Sequence, residues 1–268
     1  MFKKLLLLLL LITLSANAQT KIVSWNLENF GKSKADSTIV SIAHILKDYD
    51  IVALQEVVAG PGGAQAVSRL ADQLNRSGAK WDYTISEPTQ GNRYKKERYA
   101  FLWKTARVKK IGKAWLEKKY GKEIEREPYL CTFEYKGKQF TTVNFHGITT
   151  KDQPETEIKY FKLLPQEYPI LNLVFLGDFN CPQSHGVFNP LKKMGWRSAF
   201  QNQKTSLKKA CKNNNCLASE YDNIFYNGEK LSCIASGVVL FFKNFVSLKK
   251  AKSLSDHIPV WVELKAIL

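Results

Sequence analysis

Asn26, Glu56, Asn144, His146, Asp178, Asn180, Asp222, Asp256 and His257 each end or interrupt an otherwise apolar stretch of the chain. Ionisable side chains at the ends of core strands are poorly placed for a solvated face. Clustered carboxylates persist where a cation or a proton offsets their repulsion. Two histidines among four acids imply hydrolysis. Carboxylate and amide oxygens without thiolates suit a hard ion, Mg²⁺ or Mn²⁺, which holds a phosphate oxygen and neutralises charge developing on it. The histidines can then orient water and stabilise a phosphorane. Taken singly these signals are ordinary: an Asp-His pair such as Asp256-His257 recurs by chance, and Gly177-Asp178-Phe179-Asn180 reads equally as a turn. Their joint order carries the inference. His44, in a helical pattern, and His185, in a polar loop, receive no role.

The elements that must hold these residues follow from periodicity. Lys21 to Asn26 alternates as an edge-to-core strand; Ile39, Ile42, Ala43, Ile45 and Leu46 recur at helical spacing; Asp50 to Val57 is the next strand. Ala64 to Asn75 reads as a second amphipathic helix, followed by strands at Trp81 to Ser86 and Arg98 to Lys104. Tyr129 to Tyr135 pairs through Lys136-Gly137 with Gln139 to Phe145, and helical pattern returns near Glu155 to Leu164. Leu171 to Leu176, Tyr221 to Tyr226, Ile234 to Leu240 and Ile258 to Leu264 read as further strands. Helices interleaved with so many strands point to an α/β four-layer sandwich: two mixed β-sheets packed face to face, with helices flanking them outside.

The 268 residues are 44% hydrophobic and 24% charged, which suits one core, and 15 Gly with 9 Pro exclude collagen-like and low-complexity chains. Residues 1–18 read as a cleaved signal peptide: Lys3 and Lys4, an apolar run from Leu5 to Leu14, then Ala16-Asn17-Ala18. Residues 19–268 are expected to form a single domain. The apolar run is too short for a bilayer of roughly 30 Å, so export to the periplasm or medium without a membrane anchor is expected. The formal charge of +16 draws polyanions, whether nucleic acid, anionic lipid or acidic glycan, although general solubility explains the same charge. Of five cysteines, Cys211 and Cys216 enclose a short polar loop and are the favoured disulfide, whereas Cys131 and Cys233 lie in apolar stretches as buried hydrophobes.

KIVSWNLENFG, DIVALQEV, VNFHG, LGDFN, YDNIF and SDHIPVWVEL, in that order, resemble the endonuclease/exonuclease/phosphatase superfamily over essentially the whole mature chain. SEPTQGNRYKKERYAFLWK, followed by Arg126-Glu127-Pro128, is similar to deoxyribonuclease I rather than to apurinic endonucleases, sphingomyelinases or inositol phosphatases. The resemblance implies Glu56 as main metal ligand, with Asn26 and Asp256 nearby. It implies Asp178 and Asn180 at the scissile phosphate and attacking water, and His146 and His257 flanking that phosphate. It places Glu97 behind His146 and Asp222 behind His257, and a structural Ca²⁺ is a further candidate ion. Arg126 and Tyr221 match positions that grip the DNA backbone, and Tyr94 resembles a minor-groove tyrosine across an extra lysine in Tyr94-Lys95-Lys96-Glu97. Two departures alter groove reading: Glu28 and Val58 stand where the family carries arginines.

The leading expectation is a monomeric, exported, divalent-metal-dependent endonuclease of low sequence specificity acting on DNA. One alternative keeps fold and metal but acts on phospholipid or small phosphoesters. An exposed aromatic hairpin would favour it, and Phe241-Phe242 followed by Lys243-Asn244-Phe245, read first as core or strand end, is the candidate. Another alternative is a non-catalytic polyanion-binding module, against which the full set from Asn26 to His257 argues.

Overall fold

The computed structural model describes residues 19–91, 96–213 and 215–267, so the expected signal peptide and Tyr94 lie outside the described residues. The first half contains β1 (Gln19–Phe30), α1 (Asp36–Leu46), β2 (Ile51–Val58), α2 (Pro61–Asn75), β3 (Trp81–Ile85), β4 (Glu97–Lys104), β5 (Lys109–Leu116) and β6 (Tyr129–Tyr135). The second half contains β7 (Lys138–His146), α3 (Glu155–Ile158), α4 (Leu164–Glu167), β8 (Leu173–Asp178), α5 (Asn189–Lys193) and β9 (Trp196–Ser198). It closes with β10 (Leu207–Lys212), β11 (Asn215–Leu217), β12 (Asp222–Asn227), β13 (Leu231–Val238), α6 (Leu248–Ala251) and β14 (Val260–Ala266).

Two six-stranded mixed sheets result, ordered β13-β14-β1-β2-β4-β3 and β5-β6-β7-β8-β12-β9, with β10-β11 a separate hairpin. In each sheet one central pair is parallel, β1 with β2 and β7 with β8. β14 pairs with β1 over Gln19–Ser24, and β2 pairs with it over Ile22–Asn26 and at Phe30, so β1 is flanked on both sides from Ile22 to Ser24 and on one side towards each end. Alternation works on two buried faces here. Ile22, Ile51, Ala53 and Phe101 of the first sheet meet Cys131, Phe133, Val174, Leu176 and Ile224 of the second in the middle layer. Their neighbours Val23, Val52 and Leu54 pack outward on Ile39, Ile42, Leu46, Val67 and Leu70 of α1 and α2. Val143, Phe145, Phe175 and Phe225 pack outward on Ile158, Phe161, Phe188 and Leu191. Each fully buried Val, Leu, Ile or Phe among them contributes about 1.5–3 kcal/mol by leaving water.

The expected helix from Glu155 to Leu164 is broken into α3, a 3-10 turn at Phe161–Leu163 and α4, whose first turn holds Pro165. Asn144 ties the sheets together and does not join a catalytic cluster: its Nδ2 donates to Leu54 O at 3.0 Å and its Oδ1 accepts from Gln55 Nε2 at 2.6 Å. Phe241 is buried under Trp25, with ring centroids 5.2 Å apart, so no exposed aromatic hairpin forms there. Among the described residues no helix is long and apolar enough to cross a membrane.

Candidate active site

Register shifts break β1 after Asn26 and β2 after Leu54. Such bulges bend a strand and re-aim its side chains. Glu28, Asn29, Glu56 and Asn180 all hold positive φ, between 36° and 57°, on the wall of one cleft of about 660 Å³. Left-handed backbone at non-glycine residues costs about 1–3 kcal/mol each and persists only where the surroundings impose it. Gly177 permits the closest approach: a Cβ there would lie 1.9 Å from Phe145 O, so only glycine lets β8 deliver Asp178 beside His146 of β7.

Asp178 sits at the centre. Its Oδ2 lies 3.6 Å from His146 Nε2, 3.5 Å from His257 Nε2 and 3.0 Å from Asn26 Nδ2, while its Oδ1 accepts from Asn180 N at 2.9 Å. Each imidazole has a carboxylate behind it. His146 Nδ1 meets both oxygens of Glu97 at 2.9 and 3.0 Å, and His257 Nδ1 meets Asp222 Oδ2 at 2.8 Å. Such contacts fix the tautomer and ring orientation, leaving both Nε2 atoms for the cleft.

The two rings differ in charge preference. Burial, then the nearby Arg126 cation, pushes His146 down to about 4. Burial also pushes the Glu97 carboxyl up to about 7, with Arg126 partly opposing it. Burial likewise disfavours charge on His257, but Asp222 and Asp178 outweigh it and hold its pKa well above the ordinary value.

Asn26 organises the acids: Nδ2 donates to Glu56 Oε1 at 2.9 Å as well as to Asp178, and Oδ1 accepts from Glu28 N at 3.0 Å. Glu56 Oε2 accepts from Asn29 N at 3.0 Å, and Asp256 is half-buried on the same wall. Glu28 is raised by burial and by the charges of Asp256 and Glu56, with Lys34 only partly offsetting them. Carboxylates that repel one another, in a lining with no cysteine among the described residues, are the chemistry of a hard divalent cation site. The donor set therefore fits such an ion. A tighter group, Asp178, Asp222 and His257, brings ligand atoms within 4.8 Å of one another, but it is buried and already joined by the His257–Asp222 hydrogen bond. Glu56 and Asp256, facing the cleft, are the better placed.

Arg126 lies on the cleft wall but is buried, with Nε donating to His146 O at 2.9 Å and Nη2 to Gly147 O. Tyr221 is half-buried beside the site and is not part of the cleft lining; its N donates to Thr205 Oγ1 at 3.2 Å and its O accepts from Phe179 N. Glu28 and Val58, the two departures from arginine, both stand on the wall. Three residues to which the sequence assigned no role brace the site. Buried Lys34 donates to Leu254 O at 2.8 Å, Tyr99 OH accepts from His146 N at 3.1 Å, and Ser255 Oγ accepts from His257 N at 2.9 Å. Their polar atoms bind main chain, so no side-chain partner in the sequence marks what they do. Cys211 and Cys216 form the expected disulfide.

Comparison with known proteins shows the family and the fold. Residues 23–257 match the model of the Endonuclease/Exonuclease/phosphatase family. A "Deoxyribonuclease" of Thioalkalivibrio sp. (strain K90mix) is 26% identical over 96% of this chain and 74% of its own length. "Deoxyribonuclease-1" of Rattus norvegicus is 28% identical over 97% of this chain and 96% of its own. A solved endonuclease/exonuclease/phosphatase family protein from Bacteroides thetaiotaomicron superposes with a TM-score of 0.69 at 19% identity, covering 94% of this chain and 99% of that one.

Proposed function

The chain belongs to the endonuclease/exonuclease/phosphatase family, and from that membership we propose that it is an exported, divalent-metal-dependent endonuclease cleaving DNA phosphodiester bonds with low sequence specificity. The observation that carries the reading is the pair of carboxylate-backed imidazoles whose Nε2 atoms face one oxygen of Asp178, at 3.6 and 3.5 Å. The deoxyribonuclease names of the relatives favour DNA over other phosphoesters. Export rests on the leader sequence at residues 1–18.

In-line hydrolysis needs a group that takes a proton from water on one face of the phosphorus and groups that steady charge on the others. His146 and His257 approach such a phosphate from opposite sides, while Asp178 and Asn180 border the water and the phosphate. Glu97 and Asp222 hold the rings so that each Nε2 can accept or donate a proton without turning. Glu56 and Asp256, with a remaining lone pair of Asn26 Oδ1, would hold the cation. When bound, that cation supplies neutralisation of charge on a non-bridging phosphate oxygen.

The test is supercoiled-plasmid nicking by the mature chain in Mg²⁺, Mn²⁺ or EDTA. Nicking with either ion and none in EDTA is expected. Intact plasmid under every metal and salt condition, with turnover of a phospholipid or small phosphoester instead, would replace this reading by the phosphoesterase one.

A further inference from the structure

The cleft that receives the phosphate is rimmed by Glu28, Glu56, Asp178 and Asp256, so it repels the rest of a polyanion, and Glu28 and Val58 remove two cations expected there. Against these acids the lining offers only exposed Lys96 and buried Arg126 among lysines and arginines, so further affinity for a nucleic acid backbone comes from outside it. Beside the cleft stands the β10–β11 hairpin, which joins neither sheet. Residues 201–219 include Lys204, Lys208, Lys209 and Lys212 and no acid. Lys204, Lys209 and Lys212 are exposed, and Lys208 is half-buried with Nζ donating to Asn215 O at 3.3 Å.

An isolated two-stranded ribbon is marginal in water, and like charges along it weaken it further. Two features hold this one. The Cys211–Cys216 disulfide closes its far end. Its base is bonded into the catalytic segments: Leu207 N donates to Asp256 O at 2.6 Å, Ile258 N to Thr205 O at 2.8 Å, and Asp222 N to Thr205 Oγ1 at 3.0 Å. Ser206 also forms a β-bridge with His257. A basic ribbon that contributes little to the core is thus fixed to the main chain of Asp222, Asp256 and His257.

We propose that the β10–β11 hairpin is a phosphate-binding arm, with Lys208, Lys209 and Lys212 holding the DNA backbone next to the cleaved bond. The proposal rests on DNA being the substrate, and its test separates the two. Binding of a fluorescent 30-base-pair duplex is measured by anisotropy in EDTA, across a NaCl series, for the wild type and for K208Q/K209Q/K212Q. Loss of three phosphate contacts makes the slope of log affinity against log salt shallower by about 2 to 3, and affinity at low salt falls about 10-fold or more. Hydrolysis of bis(p-nitrophenyl) phosphate with Mg²⁺ stays at the wild-type rate. K109Q/K110Q/K138Q removes equal charge from the opposite end of the strands and leaves affinity and slope unchanged. If the triple variant melts early, K209Q/K212Q, at two exposed positions, serves with a slope change of about 2. The proposal is overturned by an unchanged slope and affinity in the arm variant, by no duplex binding in the wild type, or by an equal loss in the opposite-end variant. Wild-type protein that binds the duplex by this arm yet never nicks plasmid in any metal overturns the nuclease reading alone.

Discussion

His146 and His257 share one design, and its weight falls on the acids behind them. In Glu97→Gln and Asp222→Asn the side chain can still accept from Nδ1–H, but the charge is gone. Each variant is expected to nick plasmid about 100-fold more slowly or worse, with little change in KM, as steady-state kinetics on a defined duplex will show. Glu56→Gln addresses the cation: isothermal titration of the purified chain with Mg²⁺ is expected to lose its binding signal, while the fold melts as the wild type does. His146, His257, Asp178 and Glu56 stood out in the sequence because several ionisable groups end apolar strands in one chain, and the resemblance then gave each an expected role. Glu97 was legible only through resemblance, since a lone acid before Arg98 is ordinary in itself. Lys34, Tyr99 and Ser255 were not legible, because each acts on backbone atoms contributed by residues distant along the chain.

The strands that carry the site are those with the clearest patterns. Tyr129 to Tyr135 was read to the residue, and β2, β4, β7, β8, β12 and β14 to within three. These strands are buried on one or both faces, so their sequences are apolar enough to be seen. β5, with its exposed or half-buried Lys109, Lys110 and Lys113 and its Gly112 at φ 64°, shows no clear alternation and received no assignment, and the three-residue β9 is too short for any period. The β10–β11 hairpin was missed for the same reason, having little apolar surface to bury. Element geometry makes its own prediction at Gly177, whose φ of 138° and contact with Phe145 O exclude a Cβ. Gly177→Ala is expected to cost at least about 1–3 kcal/mol from the backbone conformation alone and to abolish nicking by parting β7 from β8. Urea unfolding of this variant and the wild type measures the cost; equal midpoints and equal activity would contradict it.

Across the whole molecule, the buried pairs shape stability against pH. His257 has a raised pKa in the fold, so its contribution is fully present below the unfolded value near 6.5 and is lost as pH rises through the folded value. Glu97 and His146 oppose each other. Between about pH 4.5 and 6.5 the pair binds one proton in the fold, on Glu97, and one in the unfolded chain, on His146, so it adds almost no slope there. The chain in EDTA is therefore expected to lose stability from pH 6.5 upward, and Asp222→Asn, which lowers the His257 pKa, to lose less over the same window. Thermal melts of both proteins from pH 6 to 10 check the sign; parallel curves would contradict it.

In the proposed mechanism His146 and His257 act on one phosphate in one displacement, and groups acting as a unit are not additive when removed. Nicking rates in saturating Mg²⁺ for His146→Ala, His257→Ala and the double variant test this directly. Each single variant is expected to fall at least about 100-fold, and the double to fall no further than the worse single. A single variant that keeps the wild-type rate, or a double variant whose loss is the product of the two, would contradict the shared site.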